Sequence, residues 1–358
     1  MELKINLKKE VDDSYKILFT EKTEEVLNYF LNWKRKVLVI FDKNVWEIYW
    51  EEFQNLKNVS KFVIQAWEEN KTIESVLSIC EKAKELNFWR KDLFVAFWGW
   101  VVGDIVWFAA SIFMRGIDFV QIPTTLVSIF DSSVGWKTWV NFWDLKNLIW
   151  TFHQPKLVVV NQSYLKTLDQ ENLLSGYFEW LKHSILDSEN YFEDFLKSFP
   201  VENWEFKIEE FSVESIAKNI QVKSSIVEKD EKETWVRKFL NYWHTFWHWI
   251  ELNSNFAHGI CVGFWIIFVN LLWKELWISS ENFVQKVNWE ILKTLKNFKL
   301  ANLDFENIYQ KMLWDKKNEA WEINFVIWEG FWKFKIEKVS DKKLLEKVFE
   351  EFKDLIWA

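Results

Sequence analysis

Residues 93–114 read LFVAFWGWVVGDIVWFAASIFM, a 22-residue stretch with one charge, Asp104. A run this long and apolar is enough to cross a bilayer. Asp104 near its middle, with Gly99 and Gly103 close by, predicts instead a strand, a glycine-containing turn and a buried helix. Further strands are predicted at Lys36–Phe41 (KVLVIF), Lys61–Ala66 (KFVIQA), Asp118–Ile122 and Leu157–Val160. Between them, Ile73, Val76, Leu77, Ile79, Cys80 and Ala83 recur at helical spacing within Thr72–Leu86. This alternation indicates a mostly parallel, Rossmann-like sheet covered by helices. Beyond about residue 165 strand signals stop and helical periodicity takes over. It runs through a core helix at Ile260–Trp273 to Leu344, Leu345, Val348, Phe349, Phe352, Leu355 and Ile356. The expected architecture is α/β plus all-α, an α/β domain over residues 1–160 and a helical domain over 161–358.

Composition bounds the function. The chain has 358 residues and a net charge of −8, which gives nucleic acid no electrostatic purchase. Cys80 and Cys261 form neither a disulfide framework nor a metal knuckle, so a reducing cytoplasm is expected. The opening MELKINLKKEVDDSYK is too charged for a signal peptide. No membrane partner is expected. The anomaly is 27 Trp against 8 Gly, where average usage predicts roughly 25 glycines. Many tryptophans stand where a turn needs glycine. Trp98 and Trp100 flank Gly99, Trp136 follows Gly135, and Trp243 and Trp247 alternate with histidines in NYWHTFWH. An indole denies both positive φ and close backbone approach. The reading adopted is that the source decodes UGA as glycine and that these codons are translated here as Trp. The alternative is a genuinely Trp-rich protein.

Three groups of residues carry chemistry. With glycine at 98 and 100, residues 98–104 become GGGVVGD after an apolar strand. Such a turn presents backbone N–H groups to a pyrophosphate at a helix N-terminus, although it is not the GxGxxG fingerprint. Asp42, at the end of a strand, suits either a ribose hydroxyl or a helix cap. Residues 132–138 (SSVGWKT), with Asp131, Lys137, Lys146 and Asn147, suit an anionic, hydroxylated substrate, although the Walker A spacing is absent. Three of the five histidines, His244, His248 and His258, lie within 15 residues. His244 and His248 share a helix face, and with a carboxylate this cluster suits a divalent metal. His153 and His183 are read as structural.

Seven segments then fall into a known pattern: FWGWVVGD (97–104), MRGIDFVQIPTTL (114–126), DSSVGWKTWVN (131–141), LKNLIWTFHQP (145–155), GYFEWLKH (176–183), RKFLNYWHTFWHWIE (237–251) and AHGICVGF (257–264). With glycine read at 98, 100, 136, 139, 150, 180, 243 and 247, they resemble 3-dehydroquinate synthase, of the sugar-phosphate cyclase family. The resemblance implies an NAD-binding Rossmann-like domain followed by a helical substrate- and metal-binding domain. It also implies conversion of 3-deoxy-D-arabino-heptulosonate 7-phosphate to 3-dehydroquinate and phosphate in the shikimate pathway. NAD+ is reduced and reoxidised within one cycle, so the enzyme is a lyase, and Zn2+ or Co2+ is required.

Residue by residue, the resemblance places the metal on Glu179, His244 and His258, whereas spacing pairs His244 with His248. It makes His248, Lys137, Lys146, Asp131 and Arg237 catalytic. Asn147, Lys182, Lys223 and Asn241 would contact substrate, and Arg115 would bind its phosphate across a homodimer interface. NAD would be held by Asp42, Asn44, Glu68, Lys71, Gly99, Gly103, Asp104, Thr124 and Thr125. The alternatives are another sugar-phosphate cyclase, a metal-dependent polyol dehydrogenase of the same fold, or an inactive binding protein if the tryptophans are real.

Overall fold

A computed structural model describes residues 12–357 except 33, 57, 100, 136, 144, 200–210, 232–235, 238–239, 241–249, 251–253, 255, 301–302, 314–322 and 332. Within it the apolar run resolves as expected. Leu93–Trp98 is strand β4 and Val102–Ile112 is helix α4, both buried along almost their whole length. No helix among the described residues is long and apolar enough to cross a membrane.

The chain divides into two compact units. Unit 1 comprises Met1–Thr124 and Trp136–Ser163; unit 2 comprises Thr125–Gly135 and Tyr164–Ala358. Unit 1 is built on β1 (Lys16–Phe19), β2 (Val37–Asp42), β3 (Val59–Ile64), β4, β5 (Asp118–Pro123) and β8 (Leu157–Val160). These form one sheet in the order β1-β8-β5-β4-β2-β3, parallel at every pairing. β2 (VLVIFD) and β4 (LFVAFW) are buried at every residue. That is why both read as continuous apolar runs rather than alternating ones. The crossovers include α2 (Lys43–Tyr49), α3 (Ile73–Glu85) and α4. Strand order reverses between β2 and β4, so the topological switch point lies at their carboxyl ends, where Asp42 and Gly99 sit.

Two elements of this unit escape the sequence reading. β1 has only four residues. Residues 137–152, to which the sequence reading assigns no element, form an antiparallel hairpin of β6 (Lys137–Phe142) and β7 (Leu145–Phe152) in which Trp139 faces Trp150.

Unit 2 is mainly helical. Its centre is the helix His258–Glu275, buried from Gly259 to Trp273, packed against Gln170–Asp187. Gly259 sets their approach: its N–H donates to Ser175 Oγ at 2.8 Å, and a Cβ there would overlap the Ser175 carbonyl. The expectation that strands stop near 165 is incorrect. Ile323–Gly330 and Lys333–Val339 pair as an antiparallel hairpin, β9 and β10. Ile323, Phe325, Val326 and Trp328 of β9 are buried, and the strand packs on the His258–Glu275 helix. Its short apolar run does not distinguish strand from helix by periodicity.

The tryptophans fare unevenly. Trp180 is buried among Phe130, Phe195, Phe199 and Phe211, and its indole N–H donates to Tyr191 Oη at 2.9 Å. Trp98 is fully buried, and its Nε1–H finds no acceptor among the described residues. An unmet buried donor costs about 1–3 kcal/mol. Trp100, Trp136, Trp243 and Trp247 lie outside the described residues.

Candidate active site

The carboxyl edge of the unit 1 sheet gathers a polar network. Asp42 caps α2, accepting the N–H groups of Asn44 (2.8 Å) and Val45 (3.3 Å), so the capping reading of this residue is realised. It also accepts from the Gly99 N–H across the switch point. Burial outweighs these bonds and pushes its carboxyl above the usual range. After β3, the turn at Glu68–Asn70 leads to Lys71, whose buried ammonium meets Asp104 Oδ2 at 2.7 Å and donates to Asn147 Oδ1 at 2.8 Å. Asn141 Nδ2 donates to Glu68 Oε1 at 2.9 Å, and Asn141 Oδ1 accepts the Asn147 N–H at 2.8 Å. Lys71, Gly103, Asp104 and Thr124 are buried. Thr124 donates its N–H to the Trp98 carbonyl at 2.9 Å. The hairpin thus closes a circuit with the 68–71 turn and the first turn of α4. Thr125 belongs to unit 2, where its hydroxyl meets Ser128 Oγ at 2.9 Å. Arg115 is exposed, at φ 69°. Lys137 and Lys146 lie on β6 and β7.

Unit 2 holds a buried ionic cluster. The Gln170–Asp187 helix presents Glu179, Lys182 and His183, all buried. Glu179 pairs with Lys182, and its Oε1 lies 3.3 Å from His258 Nε2 at the start of the next helix. Asp131 Oδ1 lies 2.6 Å from Lys223 Nζ. Arg237 is anchored by Asp230 Oδ2, which accepts its N–H at 3.0 Å, and its guanidinium donates to the carbonyls of Glu231 and Gly135. Gly135 sits at φ 116°, and a Cβ there would press on that guanidinium.

The electrostatics follow from the pairing. Burial pushes the Glu179 carboxyl up, but Lys182 and His258 outweigh it and hold it at about 2. For Asp131, burial is likewise outweighed, chiefly by Lys223 and Lys182, and the group stays well below the usual carboxylate range. Lys182 is raised because Glu179 and Asp131 overcome its burial, whereas for Lys223 burial prevails over Asp131 and lowers it.

His183, read as structural, belongs to this cluster. Its Nδ1 donates to Asn219 Oδ1 at 2.8 Å. Asp131, Glu179 and His183 each offer a ligand atom, and these lie within 4.8 Å of one another. Glu179 and His183 are four residues apart on one helix, the same spacing that singled out His244 and His248; applied here it would have found the pair. His244, His248 and Asn241 lie outside the described residues. His153, by contrast, is structural: it stacks on Phe119 and its Nε2 lies 2.9 Å from the Ile117 carbonyl.

Burial, with Lys182 beside it, holds the His183 imidazole down to about 4, against 6.5 in the unfolded chain. Between these values the unfolded chain binds a proton that the folded chain refuses, so stability falls as pH drops from 6.5 towards 4. Denaturant titrations across that window should show the slope reduced by close to one proton in His183→Gln. An unchanged slope would show that other groups carry it.

The donor chemistry suits a divalent cation. Both Glu179 oxygens are buried and, among the described residues, accept no well-directed hydrogen bond. They sit beside imidazoles, a set of nitrogen and oxygen donors that zinc and cobalt accept. Lys182, Lys223 and Arg237 bring three buried cationic side chains beside Glu179, Asp131 and Asp230, donors that suit an anionic ligand.

The fold, a parallel-sheet unit followed by a mainly helical one, is shared with solved cyclases. A 2-deoxy-scyllo-inosose synthase solved with carbaglucose-6-phosphate, NAD+ and Co2+ superposes with TM-score 0.80 at 23% identity, covering 94% of this chain and 96% of that one. A 2-epi-5-epi-valiolone synthase from Streptomyces hygroscopicus, solved with NAD+ and Zn2+, gives 0.83 at 21% identity, covering 98% and 99%. Family models for the 3-dehydroquinate synthase N-terminal and C-terminal regions match residues 61–175 and 176–318. The 3-dehydroquinate synthase of Ruminiclostridium cellulolyticum is 36% identical over 354 residues, 96% of this chain and 97% of that protein. That of Acetivibrio thermocellus is 38% identical over 303 residues, 82% of each. The chain belongs to the 3-dehydroquinate synthase family of enzymes.

Proposed function

We propose that the chain closes 3-deoxy-D-arabino-heptulosonate 7-phosphate to 3-dehydroquinate with release of phosphate, using NAD+ in unit 1 and a divalent ion, zinc or cobalt, in unit 2. The buried cluster of Glu179, Lys182, Lys223, Arg237 and His258 carries this reading, because it joins a cation's donor set to three buried cationic side chains. Lys223 and Arg237 offer a phosphorylated acid two buried cationic donors that a neutral polyol does not call for, so a phosphorylated acid is preferred.

NAD+ would lie at the switch point, its pyrophosphate on the first turn of α4 and a ribose hydroxyl on Asp42, with Glu68, Lys71 and Asp104 framing the turn. When bound, NAD+ supplies a transient hydride acceptor, and the metal supplies charge stabilisation for substrate oxygens. Glu179, His258 and His244 would hold the metal, with His183 close by.

Lys182, Lys223 and Asn241 orient the substrate's oxygens, and Arg237 and Lys146 fix its anionic ends. Asp131, held ionised by Lys223, directs that ammonium. His248 moves protons at the substrate hydroxyls, and the substrate's own phosphate accepts the proton lost in its elimination. Arg115 completes the phosphate site from the second copy of a homodimer. We place the enzyme in the cytoplasm, with a small-molecule substrate and no nucleic-acid partner.

We further propose that the working protein carries glycine at 98, 100, 136, 139, 150, 180, 243 and 247. The unmet indole N–H of Trp98, packed on Gly103 where α4 begins, supports this at the cofactor turn.

Lys146→Ala, made in the chain with glycine at these eight positions, tests the substrate assignment. Loss of one charged hydrogen-bond partner costs roughly 1.5–3 kcal/mol, so kcat/KM should fall about 10- to 150-fold while NAD+ affinity is kept. An unchanged kcat/KM removes Lys146 from the site.

A further inference from the structure

Three tryptophans outside the family motifs occupy left-handed backbone: Trp67 at φ 96°, Trp143 at φ 54° and Trp277 at φ 58°. All three are exposed, at 69%, 87% and 94%, so little packing of the indole compensates for the conformation. Each falls in a setting whose geometry is known. Trp277 follows the His258–Glu275 helix; its N–H donates to the Lys274 carbonyl at 3.1 Å and that of Ile278 to the Trp273 carbonyl at 3.0 Å. This is the Schellman motif, whose left-handed residue is usually glycine. The same bonds end α3, with Asn87 in the left-handed position at φ 54°, a residue that tolerates it. Trp143 opens the two-residue turn between Phe142 and Leu145 of the β6–β7 hairpin, where the favoured turns require positive φ.

Trp67 is the most demanding. With ψ 144° it lies beyond the left-handed helical region, towards the part of the map that is essentially glycine's alone. It also opens the turn that sets Glu68 and Lys71. The Asn70 N–H donates to the Trp67 carbonyl at 3.1 Å, and Asn70 Nδ2 reaches back to the Ala66 carbonyl at 3.0 Å. The Lys71 N–H donates to the Glu68 carbonyl at 3.0 Å, and the Lys71 carbonyl accepts the Asn141 N–H at 2.8 Å. Glu68 and Lys71, with the polar contacts described above, thus lie within the turn that Trp67 opens.

We propose that positions 67, 143 and 277 are built for glycine, and that residue 67 is a positioning residue acting through its backbone: glycine there lets the 67–71 turn present Glu68 and Lys71 to the nicotinamide cofactor. The second part rests on the NAD+ reading of unit 1; the first does not.

Glycine and alanine are compared at each position in the full chain by thermal unfolding, and NAD+ binding is measured by calorimetry in the chain with glycine restored at the eight motif positions. Glycine should raise the melting midpoint by about 2–4 °C per site, and alanine by less than half as much, because alanine retains the left-handed strain. Equal gains from glycine and alanine would overturn the glycine assignment. Trp67→Gly should lower the NAD+ Kd severalfold, whereas Trp277→Gly should leave it unchanged. A Kd unmoved by Trp67→Gly, or moved equally by Trp277→Gly, would overturn the positioning role. Absence of NAD+ binding in every variant would overturn that role together with the cofactor reading, while the thermal comparison would still decide the glycine assignment.

Discussion

The chain with glycine at 98, 100, 136, 139, 150, 180, 243 and 247 is expected to release phosphate from heptulosonate phosphate, and the chain with tryptophan there is expected to release none above background. The difference should exceed a thousandfold. At Trp98 the reason is local. Its ring fills space against Gly103, and its N–H finds no acceptor among the described residues. A bulky side chain at the strand-to-helix turn also keeps a pyrophosphate from the first N–H groups of α4. Trp180 is the exception to watch, since it packs among four phenylalanines and donates to Tyr191. Returning tryptophan at 180 alone should cost less than returning it at 98. Peptide masses from the source cell give the independent check: glycine at these positions supports recoding, and tryptophan in an active enzyme refutes it.

Glu179→Gln, in the glycine-restored chain, should lose the divalent ion and at least a thousandfold in kcat. The carboxylate is fully buried between Lys182 and His258. The amide keeps its shape but not the charge that makes it a metal donor, and Lys182 is left buried without its partner, which is itself strongly destabilising. Metal content by mass spectrometry should fall in parallel with activity, and thermal unfolding separates metal loss from loss of fold. Dialysis of the glycine-restored protein with Glu179 intact against a chelator should give the same inactive state, restored by zinc or cobalt. Full activity in a verified metal-free sample would remove the metal from the reaction.

How much of the fold is legible in the sequence is set by burial. β2 and β4 are covered on both faces, so their apolar runs are continuous and unambiguous, and α3 shows its buried stripe at Val76, Ile79 and Ala83. The hairpin 137–152 was opaque for the opposite reason. It is only partly buried, and its polar and apolar residues, KTWVNFWDLKNLIWTF, keep no strict period of two. β9 and β10 follow a long helical stretch and carry too little periodicity to interrupt it.

The candidate site divides the same way. Asp42, Gly99 and Asp104 follow from strand ends and a glycine turn. Glu179 and His258 are 79 positions apart in sequence and meet only because two helices cross at Gly259, so composition and spacing alone could not join them, and the family motifs did. Asn219, which fixes His183 from a third helix, left no mark in the sequence.

The central claim is a closed redox cycle coupled to phosphate elimination at one metal-dependent site. It is tested by supplying the glycine-restored, metal-loaded enzyme with excess heptulosonate phosphate and a small fraction of that amount of NAD+, while following phosphate, 3-dehydroquinate and absorbance of NADH together. The expected result is complete conversion, one phosphate for each 3-dehydroquinate, with no NADH accumulating. NADH rising to match the NAD+ supplied, with an oxidised product and no 3-dehydroquinate, would contradict the account and identify a dehydrogenase of the same fold.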